Sequence, residues 1–442
     1  MHQLVIMNRK LLLLPISLFT IHAVSAQDTV KQERTAFHFQ QTIITQYKPS
    51  FSAAYNGQNS LSPLSETQTS ITSTFFGSAR LWRGSQIIFD PELSGGAGLS
   101  QTLGVAGFPN GETFRVGGTQ NKIYIARAFF KQTFEWGSEK DTIDADELNL
   151  AGVRSKRYFT IGLGKFNMGD FFDNNNFSHD PRSQFMNWAL MDNAAWDYPA
   201  NTRGYVLGTY AELGQPTWTL RFAMTASVTH ENSSTWDPNI GEANTVTLEY
   251  EKRYAIGGRK GTVRVLGFLN NGKFGNYLEA IALSPVNPVV DSTQRYGRHK
   301  YGLGINADQY ITKDFGVFAK ASWNDGHTET WFFTEIDRSL TFGGVLNGRQ
   351  WKRKDDEMGL GFIVNGLSAP HRGYLAAGGY GFLIGDGKLA YSPEMIAEFY
   401  YKLDAYQHKF FITSDYQFIL HPAYNQSRGP VNVFSLRAHI EF

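Results

Sequence analysis

The chain has 442 residues, a formal net charge of +1 and no cysteine. So even a balance argues against a nucleic-acid partner and against a pore with a strong field of one sign. The missing thiols exclude disulfide staples, a lipidated cysteine anchor and cysteine ligands or nucleophiles.

Asn8, Arg9 and Lys10 form a short basic region ahead of an apolar run from Leu11 to Ile21. Val24, Ser25 and Ala26 supply the small residues of a cleavage site, so 1–26 reads as an export signal removed before Gln27. Residues 27–36 are then a short leader to one domain over 37–442. Past the signal, no stretch approaches the ~18–20 apolar residues of a transmembrane helix. The mean hydropathy is slightly polar. If such an exported chain enters a membrane, it does so as a closed β-barrel, because only helices and closed barrels pair every backbone group in lipid. The 34 Phe, 21 Tyr and 9 Trp suit two aromatic girdles at the membrane interfaces.

Two-residue alternation predicts strands near 37–47, 69–82, 85–93, 122–136, 157–166, 204–213, 216–228 and 244–254. It continues near 261–270, 299–311, 315–324, 329–342, 356–366, 392–403, 408–419 and 431–442. The seventh is the cleanest: Trp218, Leu220, Phe222, Met224, Ala226 and Val228 alternate with Thr217, Thr219, Arg221, Ala223, Thr225 and Ser227. The last sets Phe434, Leu436, Ala438, Ile440 and Phe442 against Val433, Ser435, Arg437, His439 and Glu441. A terminal aromatic strand is the habit of outer-membrane barrels, and Phe442 is the expected mark for the barrel-assembly machinery. Short turns, as at Arg83-Gly84 and Gly214-Gln215, alternate with long stretches such as 48–68, 94–121, 167–203, 271–298 and 367–391. Short periplasmic turns and long external loops produce that rhythm. Two connections break it: 137–156 is too long for a turn and 325–328 too short for an external loop. The expectation is an all-β, antiparallel transmembrane barrel of about sixteen strands, lipid-embedded in a bacterial outer membrane and wide enough for an aqueous channel.

With the apolar face toward lipid, the second strand points Phe76, Ser78, Arg80 and Trp82 into the lumen. The third points Asp90 and Glu92 inward, and the fourth Arg127, Phe129, Lys131 and Glu135. Mixed charges with aromatics suit neutral sugars, although the same charges also serve merely to keep a pore wet. The stretch 167–203 gathers Asn187, Trp188, Asp192, Asn193, Trp196, Asp197, Tyr198 and Arg203. Its apolar content predicts packing inside the barrel as a constriction, with an external cap or an oligomer contact as alternatives.

Several segments resemble the OprB-like carbohydrate-selective porins. They are S-H-D-P-R-S-Q-F-M-N-W-A-L-M-D-N-A-A-W-D-Y-P-A-N-T-R-G-Y from Ser178, W-N-D-G-H-T-E-T-W-F-F-T-E-I-D-R-S-L from Trp323, and G-S-A-R-L-W-R-G-S-Q-I-I-F-D-P-E-L-S-G-G from Gly77. G-V-A-G-F-P-N-G-E from Gly104 and the closing stretch from Asp415 to Phe442 are similar as well. The resemblance implies a sixteen-stranded channel for facilitated diffusion of monosaccharides and related small solutes. It also implies that Arg80, Arg83, Asp90, Glu92, Trp188 and Trp196 line the pore or its constriction. Gln426-Ser427 stands where the family usually carries a second charged residue.

Rival readings are weaker. His179, Asp180 and Ser183 lie close together but lack a nucleophile elbow, which disfavours a hydrolase. The acidic run Asp141, Asp144, Asp146 and Glu147 lacks the central glycine of a calcium loop, so no metal or other cofactor is expected. A soluble lectin or adhesin has no reason to keep the loop rhythm. A general or anion-preferring porin is the alternative within the class, though the balanced charge speaks against a phosphate channel. Monomer and homotrimer both remain open.

Overall fold

The structure, a computed structural model, describes residues 32–113 and 118–442. The export signal read over 1–26 lies outside the described residues. Sixteen strands form one closed antiparallel barrel in which every strand pairs with its chain neighbours. The first eight are β1 Thr35–Lys48, β2 Glu66–Ala79, β3 Ser85–Gly96, β4 Lys122–Ile143, β5 Gly152–Phe166, β6 Val206–Gln215, β7 Trp218–Ala226 and β8 Asn244–Ile256. The rest are β9 Arg259–Gly272, β10 Arg298–Tyr310, β11 Phe315–Asn324, β12 Arg338–Asn347, β13 Glu357–Gly366, β14 Glu394–Tyr406, β15 Phe410–Leu420 and β16 Val431–Glu441. Closure comes from β1 on β16, in register from Gln40 opposite Glu441 to Tyr47 opposite Phe434.

The alternation of β16 is realised as read. Val433, Ser435, Arg437 and His439 are buried toward the lumen, while Phe434 and Leu436 are exposed on the outside. Phe75, Leu163 and Leu303 extend the outer apolar belt, which has no water-facing explanation but suits lipid. Trp82 in the β2–β3 turn, with Trp136 and Tyr406 on β4 and β14, stands exposed on the periplasmic side, and Tyr47, Tyr301 and Trp323 stand near the external ends of their strands. These are the two girdles. Between Ile256 and Arg259 the hairpin turns on Gly257 and Gly258, with φ of +57° and +75°, the left-handed pair that a two-residue turn requires.

The two apparent breaks in the loop rhythm have separate causes. Around Gly137 the β4–β5 ladder shifts register between Trp136 and Lys140, then resumes to Ile143, so only 144–151 is turn. That turn bends back under the lumen, where Lys131 Nζ donates to Leu148 O at 2.6 Å. The twelfth strand begins at Arg338 rather than near residue 329. Trp331, Phe332 and Phe333 imitate strand apolarity, but they are three adjacent buried side chains in a folded-in loop over 325–337.

Leu436 lies mid-strand on the lipid face, so Leu436→Arg is expected to destabilise the bilayer-embedded barrel by about 2–4 kcal/mol. Denaturant titration in liposomes measures this, with the volume-conserving lipid-face change Leu436→Ile as the near-neutral control.

Candidate constriction site

Loop 167–205, between β5 and β6, lies inside the barrel. Its backbone is seized by lumen-facing side chains of strands far around the wall. Glu398 of β14 accepts the Met186 and Asn187 N–H groups at 2.5 and 2.9 Å. Lys320 of β11 donates to the carbonyls of Ser178, Leu190 and Met191 at 2.8–2.9 Å. Arg437 of β16 holds the carbonyls of Pro181 and Gln184. Buried backbone groups must be paired, and here charged side chains pair them.

The predicted loop residues act within this packing. Asn187 caps the one-turn helix α1, Trp188–Met191, by accepting from Ala189 N, and its amide donates to Gly107 O and Gln417 Oε1. The Trp188 ring stacks on Phe108 with centroids 4.9 Å apart and donates from Nε1 to Thr334 Oγ1. Trp196 packs against Phe172 and Tyr198. Asn193 is bonded to Asp173. Burial and the neighbouring Asp173 push the Asp192 carboxyl up, and neither of its oxygens finds a hydrogen-bond partner. Asp197 accepts four consecutive amides, those of Trp331, Phe332, Phe333 and Thr334, at 2.9–3.3 Å. Each of these six residues lies in the packed interior rather than on a wet wall.

The open space lies to one side, against β1 to β4. It is a cavity of about 390 Å³ lined by Glu92, Tyr124, Arg127, Asp170, Arg182 and Arg203, among others. Arg127 grips Asp170 with a fork, at 2.7 Å from Nε and 2.5 Å from the terminal nitrogen, and reaches Asp90 at 3.4 Å. Arg182 bridges Glu112 at 3.0 Å and Glu92 at 3.2 Å. Glu92 also accepts the hydroxyls of Thr74 at 2.6 Å, Tyr205 at 3.1 Å and Tyr124. Arg203 donates to Ser94 Oγ and lies 5.2 Å from the Tyr124 ring centroid. Asp146 to Asn149 of the inturned β4–β5 turn close the cavity on the periplasmic side.

Of the residues read from sequence, Glu92, Arg127 and Arg203 line this cavity, Asp90 stands behind Arg127, and Phe129 packs edge-on to Phe166 and Phe171. Arg80, Trp82 and Arg83 lie elsewhere. Strand β2 ends at Ala79, so all three fall on or beside the periplasmic turn. Arg80 is bonded to Gln32, Arg83 is exposed, and Trp82 turns outward to Gln132 and Phe130. Tyr124 escapes strict alternation because the ladder shifts between Asp90 and Pro91 and leaves Ala126 unpaired, which brings Tyr124 and Arg127 to the same face. Asp170, Arg182 and Tyr205 lie in the loop whose importance was legible. Their role required knowing which of its charges meets the strand wall. The hydrolase pattern dissolves: Ser183 donates to Asp180, while the His179 ring meets Gly169 O.

Residues 58–442 match the model of the carbohydrate-selective porin, OprB family. This chain belongs to that family. The OprB of Pseudomonas putida in its high-pH structure is 14% identical, with a TM-score of 0.70 over 92% of this chain and 94% of that one. The outer-membrane channel DcaP of Acinetobacter baumannii gives 10% identity and a TM-score of 0.50, covering 92% of this chain and 97% of that one. No curated protein matches. Family and barrel together make this OprB-family member a sugar channel of the bacterial outer membrane, and its fold is a channel's rather than an enzyme's.

Replacing Asp197 by Ala leaves four buried amides without their acceptor, each a loss on the order of 1–3 kcal/mol. The expected result is a barrel that still shows a heat-modifiable gel shift, with 325–337 open to protease and single-channel current larger and noisier than in the parent.

Proposed function

We propose that small uncharged sugars cross at the cavity beside β3 and β4, where Glu92, Arg127 and Arg182 meet them. The observation that carries this is the surroundings of Glu92: one buried carboxylate ringed by three hydroxyl donors and a guanidinium. Such a site trades one hydroxyl for another. A passing sugar O–H replaces a tyrosine or threonine O–H with little net change, so the solute is admitted and also released. The ion pairs Arg127–Asp170 and Arg182–Glu92 place both signs at the opening. A cavity of about 390 Å³ stands near the lower end of small-ligand pockets, roughly 300–1,000 Å³, and so favours a monosaccharide over a disaccharide.

In this reading loop 167–205 is the constriction, through Asp170, Arg182, Arg203 and Tyr205. Asn187, Trp188, Asp192, Asn193, Trp196 and Asp197 hold it in place. Arg80 and Arg83 stand at the periplasmic exit. The export signal over 1–26 and the assembly mark at Phe442 complete the passage to the outer membrane.

Glu92→Gln preserves volume while removing the charge that gathers the donors. Liposome swelling with glucose should slow by about tenfold, the scale of one charged hydrogen bond. The parent should admit glucose faster than a disaccharide. Equal rates for the two would instead make it a general diffusion porin.

A further inference from the structure

A second cavity, about 430 Å³ in volume, opens among the external loops and shares no residue with the constriction. It is built from 49–65, 227–243, 273–297, 325–337 and 367–393. Four carboxylates line it, those of Glu231, Asp291, Glu329 and Glu335, and no lysine or arginine does. At the constriction, by contrast, Glu92, Glu112 and Asp170 each have a guanidinium within hydrogen-bond reach. The cations whose field reaches Glu335 are held elsewhere. Lys300 donates to the carbonyls of Thr328 and Glu329, and His371 pairs with Asp337.

A second observation points to a ligand. The Tyr277 side chain is 1% exposed and lines the cavity, yet its hydroxyl has no hydrogen-bond partner. Its ring is fixed by stacking on His371, with centroids 4.4 Å apart. Buried hydroxyls are seldom left unpaired, and this one lies in the field of Glu335, Asp337 and Glu329. Glu231 also carries an unpartnered oxygen. Burial, with Glu231 and Asp291 beside it, holds the Glu329 carboxyl up at about 8, so at neutral pH an ammonium bound there takes the place of its proton.

We propose that this vestibule binds a small polyhydroxylated cation, a protonated amino sugar, before it reaches the constriction. The inference rests on the channel reading and adds to it a capture site for a class of solute. An ammonium answers the carboxylates and a sugar hydroxyl answers Tyr277. A bare metal ion fits poorly. Chelation needs oxygens that converge within a few ångströms, and among the described residues only Asp355, Asp404 and His408, near the periplasmic rim, cluster that closely.

The test is calorimetric titration of the purified full-length barrel at neutral pH with glucosamine, glucose, N-acetylglucosamine and calcium chloride, alongside liposome swelling with glucose. Glucosamine is expected to bind at least about tenfold tighter than either neutral sugar. The Glu231→Gln/Glu329→Gln double variant should lose that advantage while its glucose swelling rate is unchanged. Tyr277→Phe keeps the stacked ring and should weaken glucosamine severalfold. Should the double variant fail its heat-modifiability check, the parent's ranking of the three sugars and Tyr277→Phe decide the matter. Equal affinities, or calcium binding without glucosamine binding, overturn the vestibule site in a channel that still admits glucose. Failure to admit glucose at all would instead strike at the channel reading.

Discussion

The structure depends on satisfying backbone that has been brought inside a barrel. Sixteen strands enclose more space than their own side chains can fill, and the loops that fill it carry unpaired peptide groups. Lumen-facing carboxylates solve this by accepting runs of amides. Glu394 takes those of Ala106, Gly107 and Ala423, and Glu335, itself on a loop, takes those of Leu383 and Ile384. Glu398 and Asp197 do the same for their loops. Lys320 and Arg437 serve the carbonyls. A charge that accepts several amides at once fixes position as well as energy, so loops with little secondary structure become as determinate as the wall.

This division of labour leaves the barrel asymmetric. Strands β8 to β16 spend much of their inward-facing polarity on holding the plug: Glu249 on Asp173, Asn270 on Asp197, Asn306 on Asp173 and Asn324 on Ala195. Strands β1 to β4 instead face open space with Gln40, Thr72, Glu92, Tyr124 and Arg127. The open cavity therefore lies off-centre, between wall and plug. Two ion pairs span that gap, strand arginine to loop aspartate in Arg127–Asp170 and loop arginine to strand glutamate in Arg182–Glu92. Loop position and cavity chemistry thus rest on the same contacts.

Much of the wall was legible from sequence because lipid and water impose a period of two on every stave. Strand number, closure, the girdles and the inturned loop all follow from that period and from the lengths of the gaps. Where the reading slipped, a local rule had been overridden. Trp331-Phe332-Phe333 is as apolar as a strand but buries every side chain in the plug. The bulge at Ala126 shifts phase and hides Tyr124. Arg80 and Trp82 continue the alternation of β2 past the point where pairing ends. The site was harder still, since tryptophans such as Trp188 and Trp196 draw attention as sugar platforms but are consumed in packing. The residues that face the opening, Asp170 and Arg182, carry no pattern of their own.

One inward-facing carboxylate in this sequence looks like another, yet their neighbours assign them different work. Surrounded by backbone amides, as at Glu394 and Asp197, a carboxylate is a structural clamp, and a passing solute cannot compete with peptide groups locked at fixed distances. Surrounded by hydroxyls and a guanidinium, as at Glu92, it can exchange partners, because a sugar hydroxyl is equivalent to the tyrosine hydroxyl it replaces. Facing other carboxylates with no fixed cation beside them, as at Glu231 and Asp291, it lacks a counter-charge that only a solute can bring. Selectivity in such a channel is therefore set less by how many acidic residues face the lumen than by which donors are already committed to each.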